Sequence, residues 1–273
     1  MLLETILNRL ARIAKFVKLA SSITAVPKLL VVAIARDSPF NDGRALSAIA
    51  GKCFGIMSVQ TRVTDGQPAL IDTRDLGQLI TCEEVLIEQT YDLSSVPFVP
   101  DVIVDCGAHV GLFTLIAALR YSSAKLIAFE PNEDNFRMAQ LQLARFAPRL
   151  HLVKAAVSTE DGEGWFCRDH SNTGHLTSSD NGQNQRVQLI DLLYEVQKLA
   201  GKRLLLKMDV EGEERKVLPH IIAHLPSQCA IFLEIHGGQE AWDEISQSLL
   251  DVGFQNRINR ERMPFIDVFA IRM

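Results

Sequence analysis

One stretch restricts the fold of this chain more than any other: Asp101 to Thr114, DVIVDCGAHVGLFT. Val102, Ile103, Val104 and the approach to Cys106 read as a short buried strand. Gly107, Ala108 and Gly111 then leave almost no side chain where the chain turns into a helix. A strand-turn-helix corner of this kind belongs to an α/β sheet. It suits a nucleotide cofactor, because small residues let backbone N–H groups and a helix N-terminus approach a ligand, although the same glycines would also serve tight packing alone. Asp105 at the strand end can hold a polar or cationic part of such a ligand. The dinucleotide pattern G-x-G-x-x-G is absent: after Gly107 the next glycine is Gly111, and His109 stands between them. That spacing counts against NAD.

With 273 residues, 47% of them hydrophobic and 22% charged, the chain can bury a large core in one sizeable domain with an extension or in two unequal domains. A formal net charge of −5 provides no electrostatic footprint for DNA or RNA, and nucleic acid is not expected as a partner. The cysteines Cys53, Cys82, Cys106, Cys167 and Cys229 are scattered singly. They suggest neither a zinc site nor a disulfide framework, and a reducing cytoplasm fits them best as small core residues.

Residues 2–19 have an amphipathic helical pattern. Leu3, Ile6, Leu7, Leu10, Ile13, Ala14 and Val17 fall on one arc, and Arg9, Arg12, Lys15 and Lys18 lie off it. Such a helix can pack on its own chain, pair with a second subunit as a homo-oligomer, or lie on an anionic membrane. Basic residues within the apolar segment argue against a signal peptide, and the apolar stretch Leu29 to Ala35 is too short to span a bilayer. Residues 1–96 are read as this helix followed by a small α+β cap. Ala45 to Cys53 is a helical candidate, and Ile56 to Ile71 alternates around an Asp65-Gly66 hairpin turn. Thr81 to Tyr91 resembles a helix start.

From residue 97 to 273 strands and helices alternate, as in a mostly parallel sheet with helices on both faces. Strands are expected at Val102–Cys106, Leu126–Glu130, Leu150–Val157, around Leu204–Lys207 and around Ala230–His236. Helices are expected at 112–121, 132–146, 189–200, 213–225 and 241–252, and two closing β segments at 254–258 and 265–272. Ser158 to Gln185 reads as a long, polar, glycine-dotted loop of the kind that closes over a ligand, with Trp165, Phe166 and Cys167 as a candidate short strand within it. Asp105, Glu130, Asp209, Glu211 and His236 all fall at carboxyl ends of strands, the edge where open α/β sheets bind ligands. Glu130 stands about 20 residues beyond the glycine loop, where a carboxylate can accept from ribose hydroxyls. His236 is placed to serve as a general base near neutral pH. In KMDVEGEE, Asp209 and Glu211 are the better site candidates, and Glu213 and Glu214 are read as favouring the following helix start.

The segments VDCGAHVG, FEPNEDNF, LLLKMDVEGEE and FLEIHG, in this order, resemble the FkbM-type S-adenosylmethionine-dependent methyltransferases, with their K-x-D-x-E-G signature. The similarity runs from about Thr81 to the C-terminus. The resemblance implies a class I methyltransferase (Rossmann-like) fold with a seven-stranded sheet and a closing antiparallel hairpin. It implies a cofactor site of Asp105, Gly107, Ala108, His109, Gly111, Glu130, Asn132, Ala155, Ala156 and Asp209. It further implies methyl transfer to a hydroxyl of a sugar, glycan or secondary-metabolite acceptor, with His236, Glu211 or Asp209 taking the proton. His109 departs from the asparagine usual in the family. Asp209 and Glu211 could alternatively hold Mg²⁺. The rival readings are a nicotinamide-dependent oxidoreductase and a non-catalytic binding scaffold. The expected location is cytoplasmic, with membrane association through the N-terminal helix as one option.

Overall fold

A computed structural model describes residues 2–18, 20, 30, 56–72, 75–168, 174–177, 179–180, 182–262 and 264–273. The chain forms two compact units that divide at Gln89/Thr90. The first contains helix α1 (Leu2–Lys18), strands β1 (Ile56–Gln60) and β2 (Pro68–Asp72), and helix α2 (Leu76–Cys82), which runs on into a single π-helical turn, Glu83–Ile87. Helix α1 buries Phe16 completely and Ile13 and Val17 in part. Strands β1 and β2 pair antiparallel, with Met57, Val59, Ala69 and Ile71 on the buried face. Asp65 and Gly66 take the expected left-handed turn conformations, at φ 50° and 71°. The helix expected from Thr81 starts earlier, because the Asp75 carboxylate accepts from the Gln78 N–H and caps it. The 45–53 helical candidate and most of the 29–35 stretch lie outside the described residues.

The second unit is built on strands β3 (Val102–Cys106), β4 (Lys125–Phe129) and β5 (Leu150–Val153), with helices α3 (Leu112–Arg120) and α4 (Glu133–Leu143) between them. Short strands β6 (Ala156–Ser158), β7 (Gly162–Arg168), β8 (Gly174–Thr177) and β9 (Gln185–Asp191) follow, then helix α5 (Leu192–Gln197). The chain continues as β10 (Leu204–Met208), α6 (Glu214–Ile221), β11 (Cys229–His236), α7 (Gly238–Asp251), β12 (Gln255–Arg262) and β13 (Phe265–Arg272).

Seven strands form the central sheet in the order β5-β4-β3-β10-β11-β13-β12, with β13 antiparallel to both neighbours and the others parallel. The expected closing hairpin is present as β12–β13. One face of the sheet packs Val102, Val104, Leu204, Leu206 and Ile231 against α5, α6 and α7. On the other face Phe113 of α3 meets Phe232 of β11 edge-on, with centroids 6.3 Å apart. Strands β3 and β10 are adjacent in space but about a hundred residues apart in sequence. Chain order runs outward from them in both directions, which opens a crevice at their carboxyl ends. The pair is pinned at its other end by Arg203, whose Nη2 lies 2.8 Å from Asp101 Oδ1.

Three expectations change in this unit. The segment from Ser158 to Gln185 supplies strands β7 and β8 of a second sheet, ordered β6-β9-β7-β8, whose small core is Ala156, Phe166 and Val187. The strand expected over 150–157 divides at Lys154-Ala155, where the chain passes from the central sheet to the second one. The helix expected over 189–200 begins only at Leu192, since residues 185–189 are paired with β7, residues 189–191 with β6, and the Asp191 carboxylate caps the helix through the Leu193 N–H.

Candidate active site

Asp105, one residue before the end of β3, is fully buried, and its Oδ2 accepts from Thr114 Oγ1 at 2.5 Å. Oδ1 lies 3.5 Å from Lys207 Nζ and has no hydrogen-bond donor. Burial raises the Asp105 carboxyl above the usual range, with Lys207 and the Thr114 hydroxyl opposing that shift. The turn that follows places Gly107, His109 and Gly111 at φ 79°, 52° and 81°. Gly107 is obligatory: a Cβ there would stand 1.9 Å from the Asp209 carbonyl oxygen, so the loop lies directly against the end of β10. At Gly111 a Cβ would press on Leu143 at 3.0 Å.

Several N–H groups of this loop are engaged within the protein. Gly107 and Ala108 both donate to the Phe129 carbonyl, and His109 donates to Glu130 Oε2 at 2.7 Å. Glu130 also accepts from the Asn132 N–H, at 2.8 Å on Oε1. Asn132 caps α4, through the N–H groups of Asp134 and Asn135. Burial pushes the Glu130 carboxyl up to about 7 against the lowering effect of its hydrogen bonds. Ala155 and Ala156 are buried at the step from β5 to β6, beside the point where Val153 accepts from the Glu130 N–H.

Lys207 is the residue that connects the loop to the acidic turn. It stands opposite Asp105 in the β3–β10 register and is almost wholly buried. Its Nζ donates to the Gly107 carbonyl at 2.5 Å and lies 3.5 Å from both Asp105 Oδ1 and Asp209 Oδ2. Burial works against its charge, but Asp209, Asp105 and Glu234 outweigh it and raise its pKa. Tyr91 packs edge-on against Phe113 and Phe232, and its hydroxyl reaches Asp209 Oδ2 at 3.5 Å. Desolvation and the surrounding carboxylates hold that phenol well above its ordinary value.

Beyond Asp209 the chain turns through Glu211 and Gly212, both left-handed at φ 56° and 104°. Glu214 holds this turn. Its fully buried carboxylate accepts from the N–H groups of Val210 at 2.7 Å and Gly212 at 2.9 Å and faces His236 Nδ1 at 3.2 Å. His236 Nε2 lies 3.1 Å from Glu211 Oε2 and 3.6 Å from Glu234 Oε1. Burial alone would lower the imidazole pKa, but Glu211 and Glu214 reverse this and push it up to about 11. Both ring nitrogens of His236 thus face carboxylates, which favours the protonated ring over a free base near neutral pH. Burial raises the Glu211 carboxyl above the usual range.

The structure thus brings Asp105, Gly107, Asp209 and Lys207 together at the β3–β10 crevice, with Glu211 and His236 one strand further out and Glu130 one strand to the other side. Among the described residues, Asp209, Glu234 and His236 carry ligand atoms within 4.8 Å of one another and could hold a metal ion. Sequence reasoning passed over Tyr91 and undervalued Glu214. Nothing local marks Tyr91. The signal for Glu214 was its place three residues after Glu211, across a glycine that permits the tight turn.

A seven-stranded sheet with one antiparallel strand, a glycine loop after its first strand and an acidic turn after its fourth define a class I methyltransferase domain. The model of the FkbM methyltransferase domain matches residues 105–255, more than half of the chain, and the protein belongs to that family. Methyltransferase 1 of Beauveria bassiana is 30% identical over 168 residues, covering 50% of this chain and 64% of that protein. Hexuronic acid methyltransferase AglP of Haloferax volcanii is 28% identical over 145 residues, covering 52% of this chain and 59% of that protein. The AMB antimetabolite synthetase AmbE of Pseudomonas aeruginosa matches over 85 residues at 32% identity, 31% of this chain and 4% of the synthetase. The chain thus spans less than two thirds of each of these relatives. Among solved structures, an FkbM methyltransferase from Methylobacillus flagellatus KT aligns with 97% of this chain and 59% of that chain, at 12% identity and a TM-score of 0.47.

Proposed function

We propose that this methyltransferase uses S-adenosylmethionine and methylates a hydroxyl oxygen of a sugar, glycan or secondary-metabolite acceptor. The observation that carries this reading is the contact between loop and turn: Gly107 abuts the Asp209 carbonyl, and Lys207 bonds the Gly107 carbonyl while facing Asp209. A donor held by the loop and an acceptor held by the turn would therefore meet. Asp105, Gly107, Ala108, His109, Gly111, Glu130, Asn132, Ala155 and Ala156 would hold the cofactor, and the Asp105 carboxylate, already paired with Lys207, would anchor the loop beneath it. When bound, S-adenosylmethionine supplies an already activated methyl group on a sulfonium.

The protein's own task is to orient the acceptor, exclude water and receive its proton. Glu211 is the proposed proton acceptor, because burial makes it a stronger base than an ordinary carboxylate and Nε2 of His236 orients it. Asp209, held by Lys207 and Tyr91, would receive the acceptor hydroxyl. The name of the Haloferax relative supports a sugar acid among the acceptors to be tried. A second reading, a divalent cation that would displace the His236 proton and be held by His236 with Asp209 and Glu234, is favoured by their clustered ligand atoms.

Calorimetric titration with S-adenosylhomocysteine and, separately, NADH tests the cofactor. Binding of the first alone, lost in Asp105→Ala, is expected; binding of NADH alone would overturn the reading. Methyl transfer to a panel of hexuronic acids and glycosides, with Glu211→Gln as control and Mg²⁺ restored to chelator-treated protein, then tests the acceptor class and the cation.

A further inference from the structure

We propose that helix α1 docks on an anionic lipid surface. Among its described side chains, the helix is tied to its own unit through the fully buried Phe16 and the half-buried Ile13 and Val17. Leu7 and Leu10 are each 57% exposed, and Ala11 and Ala14 are exposed with them. These positions follow the helical i, i+3, i+4, i+7 spacing and make one continuous apolar stripe. Of the described positions on the amphipathic arc, Leu7, Leu10 and Ala14 are thus left exposed by the protein.

Charge selects the occupant. Lys15 and Lys18 are exposed in the last turn beside the stripe. The helix as a whole carries Arg9, Arg12, Lys15 and Lys18 against the single acid Glu4, on a chain whose net charge is −5. A second copy seated on the stripe would bring two sets of these cations together. An anionic lipid surface takes up the leucines and pairs with the lysines at once, as interfacial helices require. No helix among the described residues is long and apolar enough to cross a membrane, so the contact is one of lying on the surface.

The test is co-sedimentation of the full chain with vesicles of equal parts phosphatidylglycerol and phosphatidylcholine, and with vesicles of phosphatidylcholine alone. Binding to the anionic vesicles should be at least about tenfold tighter, a difference of about 1.4 kcal/mol, and should weaken at high salt. Leu7→Asp with Leu10→Asp should reduce it at least tenfold, and Lys15→Glu with Lys18→Glu should abolish the preference for anionic lipid. Circular dichroism and S-adenosylhomocysteine binding report whether each variant is folded. Should the leucine variant fail to fold, the lysine variant, altered only at exposed positions, decides the matter. Equal binding to both vesicles, binding to neither, or a dimer in light scattering that the leucine variant dissociates would overturn the proposal.

Discussion

Replacing Glu214 by Gln probes the frame on which the acidic turn is built. The carboxylate is fully buried and accepts from two backbone N–H groups, of Val210 and Gly212, while facing the His236 ring. An amide of the same shape keeps one acceptor oxygen, turns an NH₂ toward one of its former donors and removes the charge that balances the imidazolium. Breaking a buried ion pair costs about 3–5 kcal/mol when the remaining charge is stranded. Here Glu211 still stands 3.1 Å from Nε2, so the lower end applies, about 3 kcal/mol. Urea unfolding should show this as a midpoint lowered by about 1–2 M. The same change should move the His236 titration, followed by NMR, downward from about 11. Because its folded pKa is raised, His236 contributes stability in full below its unfolded value and loses it as pH rises toward 11. The variant should therefore lose less stability than the native chain over that interval. In a His236→Gln background the cost of Glu214→Gln should fall by about 1.5 kcal/mol or more. Equal costs in both backgrounds, with an unmoved histidine titration, would refute the account of the turn.

Gly107→Ala should cost about 3 kcal/mol or more and weaken S-adenosylhomocysteine binding at least tenfold in calorimetry, since its Cβ overlaps the Asp209 carbonyl and its φ is left-handed. Binding within twofold of the native value would show that the β10 end can yield. For Glu130, with its pKa raised to about 7, the folded state binds the proton more tightly than the unfolded chain. That contribution is complete below the unfolded value of about 4.5 and is lost as pH rises through about 7, roughly 3 kcal/mol in all. Glu130→Gln should flatten the dependence of unfolding free energy on pH over this window, and parallel profiles for the two proteins would count against the buried carboxyl as its source.

Much of the second unit could be read directly from local pattern. Val102–Cys106 with its glycine turn, Lys125–Phe129, Leu204–Met208 and Cys229–His236 are near-continuous apolar runs, as strands buried on both faces must be. Where weak local signals competed with pairing, reading failed. Residues 158–191 are polar and dotted with glycine, yet the described stretches 162–168, 174–177 and 185–191 form strands because β6 and β7 offer partners to β9 and Phe166 and Val187 share a small core. Local pattern put the start of the helix at Thr81, whereas the capping carboxylate is Asp75.

The sequence by itself determined the strands of the central sheet, the glycine loop and the family, because apolar periodicity, glycine spacing and the K-x-D-x-E-G segment are local properties that no distant contact need supply. Only the tertiary structure decided what the polar residues do. Whether His236 is a base or a held cation depends on Glu211 and Glu214, some 25 and 22 positions away along the chain, and whether Asp209 is free or paired depends on Lys207 and on Tyr91. Electrostatic interactions act through space and are strengthened by burial, so the protonation and reach of these groups follow from the packing of β3, β10 and β11 rather than from their order in the chain.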